Sequence, residues 1–239
     1  MYKKLVSTVT ALAPMVSVFA GMMVVPMAVN PKPAQAASVT YYVAKTGSDT
    51  NSCAAAQNPA TPKLTISGTG GGLTCVQAGA TLSVKAGTYA DGIHDDNIAI
   101  SGTSWTNTVT IKANPGDVVT LSGVGFVRST SQYIIVDGFV VDASGYYEGL
   151  YFTNGANHIR IQNGEVKNSP VSGVATLHGA EYNEFINLKI HNNGSHILSG
   201  IAQDHGLYLE TRNSLVDGCD VYNNLVLYQD RFCQLVYRL

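Results

Sequence analysis

The sequence predicts an all-β solenoid, a single-stranded right-handed parallel β-helix with an N-terminal cap, and three observations predict it. Glycine is abundant, at 24 residues, and Asn, Thr and Ser are scattered between short apolar runs, a composition suited to many short strands joined by tight turns. A glycine-led strand recurs as Gly125-Phe126-Val127, Gly149-Leu150-Tyr151, Gly173-Val174-Ala175 and Gly206-Leu207-Tyr208, spaced by 24, 24 and 33 residues. A second register superposes without a gap: Val136-Asp137-Gly138-Phe139-Val140-Val141, Ile161-Gln162-Asn163-Gly164-Glu165-Val166, Phe185-Ile186-Asn187-Leu188-Lys189-Ile190 and Val216-Asp217-Gly218-Cys219-Asp220-Val221.

The columns of that alignment carry the physics. Val136, Ile161, Phe185 and Val216 form one apolar column and Val141, Val166, Ile190 and Val221 another, and both are expected to point inward. Between them stand Gly138, Asn163, Asn187 and Gly218, residue types that accept a positive φ and so mark a bend. Two residues past the second column come Ala143, Asn168, Asn192 and Asn223, which predicts stacked asparagine amides at the next corner. A coil of this kind cannot bury its apolar face alone and is stabilised against its neighbours. Hairpin-linked strands of a β-sandwich would not hold three columns in constant register, and the handedness follows from the rule for parallel crossovers. Cys219 shares a column with Phe139, Gly164 and Leu188, so a buried, inert thiol is expected.

The ends differ from the middle. Residues 1–36 read as a signal peptide: Lys3 and Lys4, an apolar stretch from Leu5 to Val29, then Ala34-Gln35-Ala36, with cleavage after Ala36. A membrane anchor is the alternative, but Pro14, Pro26 and several Ser and Thr residues interrupt the stretch. The mature chain is therefore expected to be secreted, monomeric and free of the membrane. Export permits disulfides, and Cys53 with Cys75 is the expected pair, closing a Gly- and Pro-rich segment with little core of its own. Residues 37–90 form the N-terminal strand and cap leading into the first coil, and residues 91–224 the coils. After Asn224 the repeat is expected to stop, because 225–239 contains no glycine; a terminal cap and a truncated or frame-altered chain both remain open as explanations.

Charged residues make up only 13% and the net charge is −2, which excludes the basic field that non-specific nucleic-acid binding needs. Neither a Cys-x-x-Cys pair nor zinc-type histidine spacing occurs, so the identity of any metal is left unassigned.

Candidate chemistry gathers on one face. Alternation along the strand at Gly149 puts Leu150 and Phe152 inward and Tyr151 and Thr153 outward. The corresponding outward residues are Val127 and Ser129, Ala175 and Leu177, and Tyr208 and Glu210. Tyr151 and Tyr208, separated by the small Ala175, are suited to stacking on sugar rings, although surface tyrosine is also common in sheets. About nine extra residues enter before Gly206, so a loop with Ser195, His196, Asp204 and His205 is expected to project beside that strand. His178 and His191 fall near a turn and near the asparagine corner, and Asp95-Asp96 reads as a solvated turn.

The stretches Tyr41 to Asp49 and Ala78 to Tyr89, with Pro59 to Ile66 between them, resemble the opening of secreted β-helix proteins of the polysaccharide lyase type, the pectate-lyase-like and chondroitinase-like group. The resemblance covers most of residues 41–224. It implies a polysaccharide partner, acidic in the lyases, whose proton beside a uronate carboxylate is abstracted, with calcium or a cationic side chain neutralising the acid before β-elimination. On that expectation His205 is the candidate base, since an imidazole accepts a proton near neutrality, and Asp204 orients it or binds a cation. Tyr151, Tyr208 and Glu210 are the expected substrate-binding residues. The sequence departs from the enzymes in lacking clustered aspartates on successive coils, an Asp-Pro-His signature, and paired aspartates with Gly-His-Gly. An exported, non-catalytic glycan-binding or surface-structural β-helix is the competing expectation.

Overall fold

The structure, a computed structural model, describes residues 38–230 apart from 97, 196, 199, 200 and 203. The expected signal segment, His196 and the last nine residues lie outside the described residues. The chain winds through three parallel sheets, contributing one short strand to each per turn. The first sheet has seven strands, from Thr40–Val43 at one end to Leu215–Asp217 at the other. The second and third sheets have six strands each, and no α-helix occurs among the described residues.

The apolar columns dictate this winding. Ile161 pairs with Val136 on one side and Phe185 on the other, and Phe185 pairs with Val216. In the second sheet Val166 lies between Val141 and Ile190, and Ile190 pairs with Val221. The first three members of each column are 4% exposed or less, so residues about one coil apart in sequence share a single interior. Their burial is the main favourable term, because an isolated coil has neither ladder partners nor neighbours to cover its apolar interior. The third sheet adds Val124, Leu150, Val174 and Leu207 in one inward column, with Phe126 and Phe152 beside it.

Bends fall where the side chains permit them. Gly138, Asn163, Asn187 and Gly218 all take positive φ, from 51° to 84°, as do Asn168, Asn192 and Asn223 at the next corner. The asparagine stack, however, sits one residue later than expected. A residue at the bend turns its side chain out, and Asn168 accordingly donates to the Asp142 carboxylate at 3.2 Å. Its successor turns in. Asn193 is 1% exposed, accepts the Ser169 amide at 3.0 Å, and donates to Val166 O at 3.2 Å and to Asn224 Oδ1 at 3.0 Å. Asn224 in turn donates to Ile190 O at 2.9 Å. The ladder thus satisfies turn groups that stacking has cut off from water.

The cap has the opposite economy, with little regular structure and many tethers. Thr40–Val43 pairs with Thr81–Val84, and the segment between them is held by Asp49, whose carboxylate accepts the amides of Leu64 and Thr65 at 2.9 and 3.1 Å. Cys53 and Cys75 are joined by a disulfide across 22 residues.

At the other end the structure departs from the expected stop at Asn224. Val226–Asp230 adds a parallel strand to the third sheet beside His205–Leu209, so the winding runs past the last asparagine corner without a glycine. The ladder needs only backbone amides and carbonyls, and Asn223 with its positive φ already provides the turn.

Candidate functional site

The outer face of the third sheet presents one continuous column of side chains. His94, Gly125, Tyr151, Ala175 and Tyr208 are register partners on successive strands. Tyr151 and Tyr208 are half-buried on this face, and Ala175 between them is 4% exposed. The small residue leaves a trough between two phenol rings.

Two expectations for this face need correction. Tyr151 pairs with Gly125 and Leu150 with Val124, so Gly123, not Gly125, is the equivalent of Gly149, and Val127 and Ser129 belong to the following turn. Glycine stands at both 123 and 125, and the regular 24-residue spacing points to the second of them, two residues past the true equivalent. Thr153 is 4% exposed, not outward, because the strand ends at Phe152 and the chain turns there, with the Thr153 amide on Phe126 O at 3.0 Å.

One rim of the face is the corner where chains enter the third sheet. There Glu148, Ser172 and His205 each precede a glycine, and close backbone approach explains the glycines. A Cβ on Gly173 would stand 2.7 Å from Asn193 Nδ2 and 2.8 Å from Gly206 O. The insertion before Gly206 forms a short antiparallel pair, Ile197–Leu198 with Ile201–Ala202. Asp204 and His205, expected on a projecting loop, are each only 4% exposed. Asp204 Oδ2 accepts the Ser195 amide at 3.1 Å, while the His205 amide donates to Ser172 Oγ at 3.3 Å and its ring leans on Tyr208, centroids 5.2 Å apart.

Glu148 completes this corner and was missed in the sequence. Burial pushes its carboxyl above the ordinary value of 4.5, and the charge of Asp204 pushes it further. A carboxyl whose neutral form is favoured by burial and by a neighbouring carboxylate is suited to proton transfer. The signal was available: Glu148 occupies the position that His205 holds two coils later, directly before the repeat glycine.

The raised value also predicts a stability effect. The native chain holds this proton to higher pH than the unfolded chain does, so the contribution is full below 4.5 and is lost as pH rises through the native value. Glu148→Gln is therefore expected to raise Tm at pH 7 by about 1–2 °C, a small effect because the group is partly solvated. Thermal melts from pH 4 to 8, roughly spanning this titration, check it; an unchanged pH slope would contradict the assignment.

Glu210 does not share this corner. It lies at the far end of the strands and, with His178, Glu181 and Arg212, lines a separate hollow of about 210 Å³. Asp95, expected in a solvated turn, is fully buried because its carboxylate accepts the amides of Val127 and Arg128 and the Ser131 hydroxyl. Asp96 alone is exposed. Cys219 is half-buried, and burial raises its thiol.

The other sheets carry different surfaces. On the first, Tyr133, His158 and Tyr182 stack from coil to coil at centroid distances of 4.7 and 5.2 Å, with Tyr182 49% exposed at the end of the stack. On the second, Glu165 bonds Lys167 at 2.8 Å and His191 at 3.0 Å. Among the described residues, no group of three or more His, Cys, Asp or Glu side chains is placed to hold a metal ion.

Among solved structures, the chain is similar to a pectate lyase, Pel9A, with a TM-score of 0.45, 16% identity and coverage of 79% of this chain and 55% of that one. It is also similar to a rhamnogalacturonan lyase, with a TM-score of 0.42, 15% identity and coverage of 74% and 68%. The chain thus spans about half the length of the pectate lyase structure. No protein-family model and no curated protein matches the sequence.

Proposed function

We propose that this protein is exported and binds a polysaccharide along the outer face of the third sheet. The observation that carries the reading is the column of Tyr151, Ala175 and Tyr208, two phenol rings two coils apart with an alanine on the coil between them. Sugar rings offer C–H faces to such rings, and their hydroxyls bond the flanking polar groups. Strands spaced by about 4.8 Å on a rigid sheet keep the platform fixed, which limits the ordering cost of binding. Export is supported by the leader-like residues 1–36 and by the Cys53–Cys75 bridge, a bond that persists in oxidising compartments.

Truncating Tyr151 or Tyr208 to alanine is expected to weaken retention on a polysaccharide column by about tenfold each, with Tm unchanged within a few degrees. Equal retention of the double variant would remove the face from consideration.

A second reading, cleavage of the bound chain, is favoured by Glu148. Its carboxyl, raised by burial and by the charge of Asp204, gives an acid or base at the rim of the platform. The uronate lyase chemistry implied by the family resemblance also needs a positive charge at the substrate carboxylate, and the charge acting on Glu148 is instead that of Asp204. Assays for unsaturated uronate ends and for new reducing ends separate elimination from hydrolysis. Product formed by the wild type and lost in Glu148→Gln would support cleavage, whereas binding without product would leave a non-catalytic module.

A further inference from the structure

A hollow of about 300 Å³ lies at the foot of the same column, lined among others by Ser67, Asp91, His94, Asp96 and Tyr146. Its walls are two stacked rings, His94 and Tyr146, with centroids 5.2 Å apart. Glycines make room for them. A Cβ on Gly125 would stand 2.8 Å from His94 Nδ1, one on Gly92 2.7 Å from His94 Nε2, and one on Gly123 3.2 Å from the Tyr146 ring.

The charged groups around the rings are of one sign. Asp91 Oδ2 accepts the amides of Ile66 and Ser67 at 2.7 and 2.8 Å, which holds the carboxylate in place. The Asp96 carboxylate is exposed at the mouth. Burial lowers the His94 value against the pull of Asp96, Asp95 and Asp91, and its Nε2 is buried with no hydrogen-bond partner. The ring is therefore neutral near pH 7. The arginine beside this segment, Arg128, is turned onto main-chain oxygens, its Nε donating to Asp95 O at 2.7 Å and its Nη2 to Asp96 O. Among the described residues, no lysine or arginine lines the hollow.

We infer that this hollow seats a residue of an uncharged, hydroxyl-rich glycan. The inference rests on reading the third-sheet face as a glycan surface, and it names the class of glycan. Sugar hydroxyls donate to the Asp91 and Asp96 carboxylates while a C–H face packs on the ring stack. A uronate would bring its own carboxylate against these two with no cation in the lining, an unfavourable juxtaposition that selects against acidic polymers. Further along the face, Glu148 and Asp204 repeat the same sign.

Titration calorimetry of the mature chain with neutral oligosaccharides (glucan, mannan, xylan and galactan fragments) and with oligouronates, with and without added calcium, tests this. At least one neutral series is expected to bind about tenfold more tightly than any oligouronate. Tyr146→Ala should weaken that binding about tenfold, without loss of folding since Tyr146 is 44% exposed. Asp96→Asn should narrow the preference for neutral chains. Tighter binding of oligouronates would overturn the assignment while leaving the glycan face standing. Neutral binding untouched by Tyr146→Ala would overturn the placement in the hollow. A folded protein that binds nothing in the panel would overturn the glycan face itself, and this inference with it.

Discussion

Phe152→Ala is expected to cost about 3–5 kcal/mol of stability, which is a large fraction of the total for a domain of this size. Phe152 is fully buried, and its ring meets Phe126 at 5.5 Å and Phe185 at 5.8 Å. These three rings come from three different coils. Removing the middle one leaves a cavity that neighbouring strands cannot close, because their backbones are pinned by ladders on both sides. Urea unfolding followed by far-ultraviolet circular dichroism measures the loss. A cost under about 1 kcal/mol would mean that the interior is loosely packed and that the apolar columns do not organise the fold.

Loss of the Cys53–Cys75 bridge is the second large expected effect, at about 3 kcal/mol for the 22-residue separation in the chain-entropy account. Between the two cysteines the chain has two one-turn 3-10 segments and no strand, so its order depends on tethers rather than on a ladder. Double replacement of both cysteines by alanine, or reduction, should lower the urea midpoint and expose cap amides to hydrogen exchange before those of the middle coils. Equal midpoints with and without reductant would show that Asp49 and its amide partners hold the cap unaided.

The middle coils were legible in the sequence for a physical reason. Parallel pairing at constant register makes each coil repeat the demands of the last, so Val136, Ile161, Phe185 and Val216 had to be alike in kind. The same holds for positive φ at Gly138, Asn163, Asn187 and Gly218, where a bend excludes most side chains. Register failed where the repeat had two candidate glycines, at Gly123 and Gly125, and where neighbouring asparagines, Asn192 and Asn193, were interchangeable by type but opposite in direction.

The site was legible only in part. Tyr151 and Tyr208 could be placed on one face from alternation, but Asp204 and His205 were expected on an open loop and are almost completely buried. Glu210 was drawn to the same groove by alternation, yet the strand ends before it and it lines another hollow. His94 and Tyr146 stood in segments without a repeat, where periodicity says nothing, and only stacking of three coils brings them together.

The sequence by itself determined the winding, the two inward columns and the bends, because each is set by what one residue type can do at a recurring local position. Tertiary structure alone decided which polar groups meet: Glu148 with Asp204, His94 with Tyr146, and Asp95 with the Val127 and Arg128 amides. Those contacts join residues from different coils and depend on how far corners and insertions lean across the sheet, a distance that no periodicity encodes.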